Sequence, residues 1–490
     1  MKKEKNSTCN NLKSGEWNAV CNKAWRIEVH PDEVVGPIKI MNAVNNGPKK
    51  ARSDQTSSNF DDFKSLKIPF VRTHDAALCY SYGAHHCGDI TSMFPDFDTD
   101  ETDPANYDFT ITDEYLETIR LAGGEPFFRL GQSIEHWIKK YGVNPPEDFE
   151  KWARICEHVI RHYNEGWADG YRWNIRYWEI WNEPDLNTVK EDGRLGPTWT
   201  GTKEQFLELY KTVSLHLRRC FNDIKIGGPA FCGWNSWKDD FLPFCVREKL
   251  PLDFYSYHAY AQSFEEISYS ARQARMLLDK NGFNDVELIL NEWNYVRGWS
   301  DEWVYTLECE SGRFNQKGAA MIAATMIDCQ NSPLDMLMYY DARIGCAMNG
   351  MFDIITLLPL KGYYPFVAWK RLQTLGTQVK TKCTESASGT FLFPEHPWEP
   401  GDNHRELVAC AARNKEGCLA IFIARYSHDN NIVATVPVQI RLADGRSLGN
   451  ARCHLTDAVR SYTEVSLITH EDGSATVRMQ PNSFALIELD

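Results

Sequence analysis

The stretch Tyr177-Trp178-Glu179-Ile180-Trp181-Asn182-Glu183-Pro184-Asp185 decides the reading of this chain. It begins as an aromatic, β-favouring run and breaks in Asn-Glu-Pro-Asp. A strand is therefore expected to stop at Asn182, where proline ends the ladder and turns the chain. Glu183 then stands at the carboxyl end of a strand, beside two tryptophans. A carboxyl group held against apolar rings loses hydration and keeps its proton to higher pH, which is what a general acid needs. Read alone, an ordinary turn with a solvated glutamate fits the stretch about as well.

A second carboxylate separates the two readings. Glu287-Leu288-Ile289-Leu290-Asn291-Glu292-Trp293-Asn294 has the same form, a short apolar run followed by Glu and an aromatic residue, and Glu292 lies 109 residues after Glu183. In a repeating strand–helix chain, that gap holds about three units of roughly 30 residues or more. Two strand-terminal carboxylates on one rim of a barrel would face each other across a sugar.

The surrounding sequence supplies such a barrel. Strand-like runs are Ile38–Met41, Phe70–His74, Glu125–Leu130, Arg176–Trp181, Lys225–Ala230, Phe254–Tyr260, Val286–Leu290 and Leu334–Tyr340. Helical patterns lie between most of them, at Asp113–Arg120, Phe149–Tyr163, Glu204–Cys220 and Ala319–Gln330. Alternating strand and helix implies a parallel sheet. Eight units imply an α/β fold, a (β/α)8 TIM barrel over residues 38–376 with its active site at the carboxyl ends of the strands. After Gly376 the texture changes to short strands separated by turn residues: Gly389–Phe393, Leu407–Ala411, Cys418–Ala424, Val433–Ile440 and Ser483–Leu489. Residues 377–490 read as an accessory β-sandwich domain. Residues 1–37, with the strand-like Trp25–Val29, are expected to join that sandwich rather than the barrel.

Bulk composition narrows the partners. Of the 490 residues, 43% are hydrophobic and 12% aromatic, with 16 Trp and 21 Tyr, an excess that suits stacking on sugar faces or a large core. The net charge of −14 argues against nucleic acid and anionic membranes. No apolar run of about 18 residues is present. The start Met1-Lys2-Lys3-Glu4 has no apolar core behind it, so no secretory signal is expected. The 15 cysteines are an odd number scattered through predicted core elements such as Cys156, Cys220 and Cys329, which favours reduced thiols and a cytoplasmic location.

The motifs together resemble glycoside hydrolase family 39, the β-xylosidase and α-L-iduronidase family. The resemblance spans most of the chain and rests on Arg72-Thr73-His74, Trp181-Asn182-Glu183-Pro184, Gly227-Gly228-Pro229-Ala230, Ser256-Tyr257-His258-Ala259-Tyr260 and Asn291-Glu292-Trp293-Asn294. The run from Gly350-Met351-Phe352-Asp353 to Leu372 resembles the segment leading into the family's β-domain. Asn-Glu-Pro alone is common to a wide clan of barrels, whereas the order and spacing of all five motifs are more specific. The resemblance implies that Glu183 is the acid/base, that Glu292 is the nucleophile, and that hydrolysis retains anomeric configuration. It also implies that the Asn182 amide bonds the 2-hydroxyl and that His74 contacts a sugar hydroxyl. The family pattern continues with Gly after that His, whereas here Asp75 follows and adds an acid near the pocket.

His258 and Tyr260 occupy alternate positions of one strand and so share a face; holding Glu292 ionised and oriented is one role for them, and plain barrel packing is the other. Trp293, Tyr295 and Trp299 are candidates either for sugar stacking or for burial in the loop. Asp341 and Arg343 end the last barrel strand, where Arg343 either fixes a substrate carboxylate or, more simply, pairs with Asp341. Cys79, His85, His86, Cys87 and His74 are zinc-ligating types without the spacing of a closed site, so neither metal nor cofactor is expected.

The reading is a retaining, exo-acting glycosidase on short plant-type oligosaccharides, with β-xylosidase-like activity as the leading reading and α-L-arabinofuranosidase-type or another family 39 activity as the alternative, which the two acids do not separate. A carbohydrate-binding protein on a dead hydrolase scaffold would lack one Glu, and both are present. An inverting hydrolase on a similar barrel is the third reading. Long loops and a β-domain are compatible with a homo-oligomer.

Overall fold

The computed structural model describes residues 25–50, 58–77, 86–136, 138–187, 193, 195–233, 236–299, 303–344, 346–384 and 405–490. The chain enters through β1 (Trp25–Pro37), which lies outside the barrel. Eight parallel strands then close the barrel in sequence order: β2 (Ile40–Asn45), β3 (Phe70–Thr73), β4 (Glu125–Leu130), β5 (Tyr177–Ile180), β6 (Lys225–Phe231), β7 (Phe254–Ala261), β8 (Glu287–Tyr295) and β9 (Met336–Tyr339). A helix follows each strand: α1 (Phe60–Ser65), α2 (Thr110–Leu121), α3 (Phe149–Asn164), α4 (Lys203–Cys220), α5 (Ser236–Glu248), α6 (Phe264–Lys280), the pair α7 (Trp303–Phe314) and α8 (Gln316–Gln330), and α9 (Tyr364–Leu375). The (β/α)8 expectation holds. β2 and β8 run further toward the active-site rim than their apolar runs suggested.

Local chemistry explains the helices. In α3, Trp152, Ile155, Cys156, Val159, Ile160 and Tyr163 recur at helical spacing and are buried on the barrel side. Truncating one of these, Ile155→Ala for instance, would cost about 2–5 kcal/mol. The Asp148 carboxylate accepts from the Lys151 amide to start that helix. Thr202 and Gln205 form a reciprocal capping box at the start of α4. The residues of α8 from Lys317 to Gln330 are all buried, because the helix lies between the barrel and the second sheet.

The barrel interior is layered, as period-2 strands dictate. Phe70, Phe127, Tyr177, Phe254 and Ile289 form an apolar plug at the amino-terminal end of the strands. Two residues further along, the same inward rows carry Arg72, Glu179, Ser256 and Asn291, all buried. Gly227 leaves room for this packing, since a Cβ there would lie 2.3 Å from the Phe254 carbonyl oxygen.

Among the described residues, the second sheet has ten strands. Besides β1 they are β10 (Thr377–Thr384), β11 (Leu407–Arg413), β12 (Leu419–Arg425), β13 (Val436–Leu442), β14 (Arg452–Thr456), β15 (Thr463–Val465), β16 (Ile468–Thr469), β17 (Ala475–Met479) and β18 (Ser483–Leu489), in the order β15-β14-β18-β12-β11-β10-β1-β13-β17-β16. Leu407, Ile421, Ile423, Val438, Ile440, Leu455, Val477 and Ile487 meet in one core, so the sheet folds over on itself as a sandwich does. The alternate residues Val408, Cys410, Phe422 and Phe484 face the barrel's own core cluster. β1 pairs antiparallel with β10 and parallel with β13. The run at 389–393 lies outside the described residues. Among the described residues no helix is long and apolar enough to cross a membrane, and Cys156, Cys220 and Cys329 are free thiols.

Candidate active site

Glu183 and Glu292 meet at the carboxyl ends of β5 and β8, with His258 of β7 between them. Their nearest ligating atoms all lie within 4.8 Å of one another. His258 Nδ1 shares a 2.6 Å hydrogen bond with Glu183 Oε1 and stands 3.4 Å from Glu292 Oε2. The backbone that delivers Glu183 is strained: Trp181 has φ 69° and Glu183 φ 45°, a left-handed conformation that non-glycine residues hold only when the surroundings enforce it. The enforcing contacts are Trp181 N–H to the Leu130 carbonyl at 3.0 Å, Glu183 N–H to the Ala230 carbonyl at 3.0 Å, and the Thr198 hydroxyl to the Glu183 carbonyl at 2.6 Å. Trp178 and Trp181 pack outward, against Phe128 and against Trp152 and Trp199, so Glu183 is dehydrated by enclosure in the barrel mouth rather than by these rings.

A bulge delivers Glu292. Leu290 pairs with Tyr257 and Glu292 with His258, which makes Asn291 the extra residue of β8. Asn291 and Glu292 thereby both reach the interior, where strict alternation would send one outward. Asn291 Nδ2 donates to Glu179 Oε1 at 2.5 Å.

The two acids have different neighbours. Glu292 accepts from Arg72 Nη1 at 2.6 Å and from the Tyr260 hydroxyl at 2.8 Å. Arg72 also donates through Nε to Glu179 Oε2 at 2.7 Å and through Nη2 to Asn182 Oδ1 at 2.7 Å. Among the described residues, the Glu183 carboxyl has His258 as its side-chain hydrogen-bond partner. Burial pushes Glu183 up to about 8, with the Asp185 and Asp75 carboxylates adding to the effect. Burial also raises Glu292, to about 7, against the pull of the Arg72 charge. Burial pushes His258 down to about 4, so its ring is neutral near pH 7. Burial favours the protonated form of both acids, and the Arg72 cation hydrogen-bonded to Glu292 favours the negative charge there.

Polar atoms are left over around the acids. Among the described residues, Asn182 Nδ2, His258 Nε2 and both ring nitrogens of His74 are buried without a hydrogen-bond partner. His74 Nε2 lies 3.5 Å from Glu292 Oε1 and 3.5 Å from Asp75 Oδ2. Asp75, itself left-handed at φ 51°, accepts from the Ile134 amide at 2.9 Å and from the Tyr340 hydroxyl at 3.4 Å. Arg343 pairs with Asp341 at 3.5 Å and donates to the Asp75 carbonyl.

Two predicted residues turn away. Trp293 is fully buried edge-on to Tyr339, and the Tyr295 ring lies under Lys317 on the helix side. Past the bulge, strand alternation points both away from the acids, so neither offers a face to a sugar. Trp299 is 75% exposed and meets Tyr260 edge-on at 5.4 Å. Cys79 and His85 lie outside the described residues. Sequence reasoning gave no role to Glu179 or to the Arg72 guanidinium. The available signal was a charged residue at an inward position of an otherwise apolar strand.

A family model described as glycosyl hydrolases family 39 matches residues 65–342. A β-xylosidase of Geobacillus stearothermophilus is 30% identical over 167 residues, 31% of this chain and 31% of that protein. A β-xylosidase of Caldicellulosiruptor saccharolyticus is 24% identical over 250 residues, 48% of each chain. The chain thus spans from about a third to about half the length of these curated relatives. The crystal structure of a glucosidase from Croceicoccus marinus superposes with a TM-score of 0.72 at 19% identity, covering 95% of this chain and 99% of that one, a likeness of fold.

Proposed function

Since the chain belongs to family 39 of the glycosyl hydrolases, we propose that it is a glycosidase that removes sugars from the non-reducing end of short oligosaccharides with retention of configuration, acting as a β-xylosidase. One observation carries the retaining mechanism: two buried carboxyl groups with oxygens within 4.8 Å, differing in their donors. Retaining enzymes hold their carboxyl groups about 5–5.5 Å apart, inverting ones about 6.5–9.5 Å, which leaves room for a water.

Glu292, kept ionised by Arg72 and Tyr260, attacks the anomeric carbon while Glu183 gives its proton to the departing oxygen. The glycosyl ester that forms removes the charge on Glu292, and with it one reason for Glu183 to hold a proton. Glu183 then takes a proton from water, the hydroxide oxygen attacks the anomeric carbon, and the ester bond breaks to return Glu292 as a carboxylate. The Asn182 amide N–H, without a partner among the described residues, is available to donate to the hydroxyl beside the reacting carbon, where hydrogen bonds strengthen in the transition state. Two β-xylosidases among the relatives favour xylosides. The Arg343 guanidinium is engaged by Asp341 and the Asp75 carbonyl, which speaks against a uronate.

Proton NMR of the first product anomer tests the mechanism. Retention is expected, and an initially inverted anomer would sink it. Chromogenic xylosides, arabinofuranosides, galactosides and iduronides, each in the relevant anomer, test the sugar. The xyloside is expected to turn over fastest, and faster cleavage of another would replace that assignment.

A further inference from the structure

Among the described residues, two groups of three metal-ligating side chains gather their donor atoms within 4.8 Å. One is the Glu183–His258–Glu292 set. The other, Glu157, His216 and Cys220, has no part in the proposed reaction. His216 and Cys220 are four residues apart and so share one face of α4. Glu157 reaches them from the facing side of α3.

We propose that these three side chains form a zinc-class cation site that clamps α3 to α4. The distances suit it. His216 Nε2 stands 3.7 Å from Cys220 Sγ and 2.6 Å from Glu157 Oε2. A tetrahedron built on zinc bond lengths of about 2.3 Å to sulfur and about 2.0–2.2 Å to nitrogen and oxygen separates its ligands by about 3.3–3.6 Å. The His–Cys edge needs to close by only about 0.1–0.2 Å and the His–Glu edge to open by less than about 1 Å, both within side-chain rotation. The ion takes the place of the proton now held between His216 and Glu157, and the partly exposed position leaves a fourth place for water.

The charges balance as well. A thiolate and a carboxylate neutralise a divalent ion, with imidazole as the third ligand. Loading releases the thiol proton to solvent, the proton held between His216 Nε2 and Glu157 moves to His216 Nδ1 or to solvent, and no electrons move. Arg161 Nε donates to the other carboxylate oxygen, Glu157 Oε1, at 2.8 Å, which fixes the carboxylate with Oε2 turned toward His216. Thiolate, imidazole and carboxylate together select zinc or cobalt over magnesium or calcium, which prefer all-oxygen sites. α3 and α4 are the helices on either side of β5, the strand that delivers Glu183, so the clamp would hold the frame of the proton donor.

The test uses the full chain, stripped with chelator and titrated with zinc, cobalt or magnesium chloride. The expected result is one tight equivalent of zinc, a raised thermal midpoint with zinc and none with magnesium, and a thiolate-to-cobalt charge-transfer absorption in the near ultraviolet. Cys220→Ser should abolish that absorption, and His216→Gln should weaken zinc binding at least tenfold. Glu292→Gln, which alters the other cluster, should leave both signals unchanged. Absence of the cobalt absorption, or its persistence in Cys220→Ser, overturns the proposal. So does equal tight binding in His216→Gln, which would place the ion elsewhere.

Discussion

Arg72 and Arg176 lie toward opposite ends of the same barrel; Arg176 pairs with one glutamate on the adjacent strand, and Arg72 with two glutamates reached across the barrel interior. Arg176, 49% exposed at its side chain, grips Glu125 with two nitrogens at the amino-terminal rim, at 3.0 Å and 2.7 Å. Arg72 is fully buried and holds Glu179 and Glu292 beneath the catalytic rim. The residue types are alike, and water is the difference. At the wet end the pair gains little over its solvated partners. At the dry end each charge is costly unless neighbours offset it. The guanidinium, bonded to Glu292, therefore favours the ionised form of that carboxyl. A structural ion pair and an electrostatic device thus differ in position along a strand, and the predictions attack that contrast from its dry end outward.

The largest effect belongs to Glu292. Glu292→Ala should lower turnover by roughly 10⁴-fold or more, with azide restoring it and releasing the inverted glycosyl azide, identified by NMR. Full activity in this variant would remove Glu292 from the mechanism. Glu183→Gln should cost roughly 10²–10⁴-fold on natural glycosides, and much less on aryl glycosides whose leaving groups need no proton. Equal losses on both substrates would deny it the acid role.

Arg72→Met comes next. It leaves Glu179 and Glu292 buried without their cation, so unfolding free energy should fall by about 3–5 kcal/mol. The acid limb of kcat/KM should also move to higher pH, because Glu292 would ionise later. An unmoved limb would mean that Arg72 is a fold element only.

How much of this was legible in sequence depended on which physical signal carried it. The barrel was legible because eight apolar runs alternated with helical periods, and the acids because Glu183 and Glu292 both end such runs. The bulge at Asn291 was not, since a bulge is a disagreement between two strands and neither sequence contains it alone. Trp293 and Tyr295 stayed open between sugar stacking and burial for the same reason, as their facing depends on that bulge. Glu179 sat in the quoted stretch itself, but its partners Arg72, Ser256 and Asn291 come from three other strands. β10, reading Thr-Gln-Val-Lys-Thr-Lys-Cys-Thr, was too polar to stand out as a strand.

The proton itself offers a finer measurement. With Glu183 raised to about 8 and Glu292 raised to about 7, the kcat/KM profile should be a bell displaced above the usual carboxylate range. Its basic limb should vanish in Glu183→Gln assayed on an activated substrate. Stability moves the other way. Between the ordinary value of 4.5 and about 8 the unfolded chain has released the Glu183 proton and the folded one has not, so stability falls as pH rises through that window. Glu183→Gln should therefore raise the melting temperature at pH 8 by roughly 2–4 °C and change it little at pH 4. An equal shift at both pH values would show that the gain is steric rather than electrostatic.

The smallest effect completes the contrast. Arg176→Met removes a two-pronged ion pair, which by geometry alone looks as strong as anything Arg72 makes. Its carboxylate partner Glu125 is 23% exposed at the side chain, and water can take over where the guanidinium was. The chain beneath keeps its anchor, because the Lys225 amide still donates to the Arg176 carbonyl at 2.7 Å. Methionine can still cover the Phe70 and Tyr177 rings that the guanidinium now lies over at 5.1 Å and 5.9 Å. The expected loss is within about 1 kcal/mol, with unchanged kcat/KM and pH limbs. Most of that loss should disappear in roughly 1 M salt, where screening shortens to about 3 Å. A loss as large as that of Arg72→Met would mean that exposure does not set what a barrel arginine contributes, and the contrast would fall.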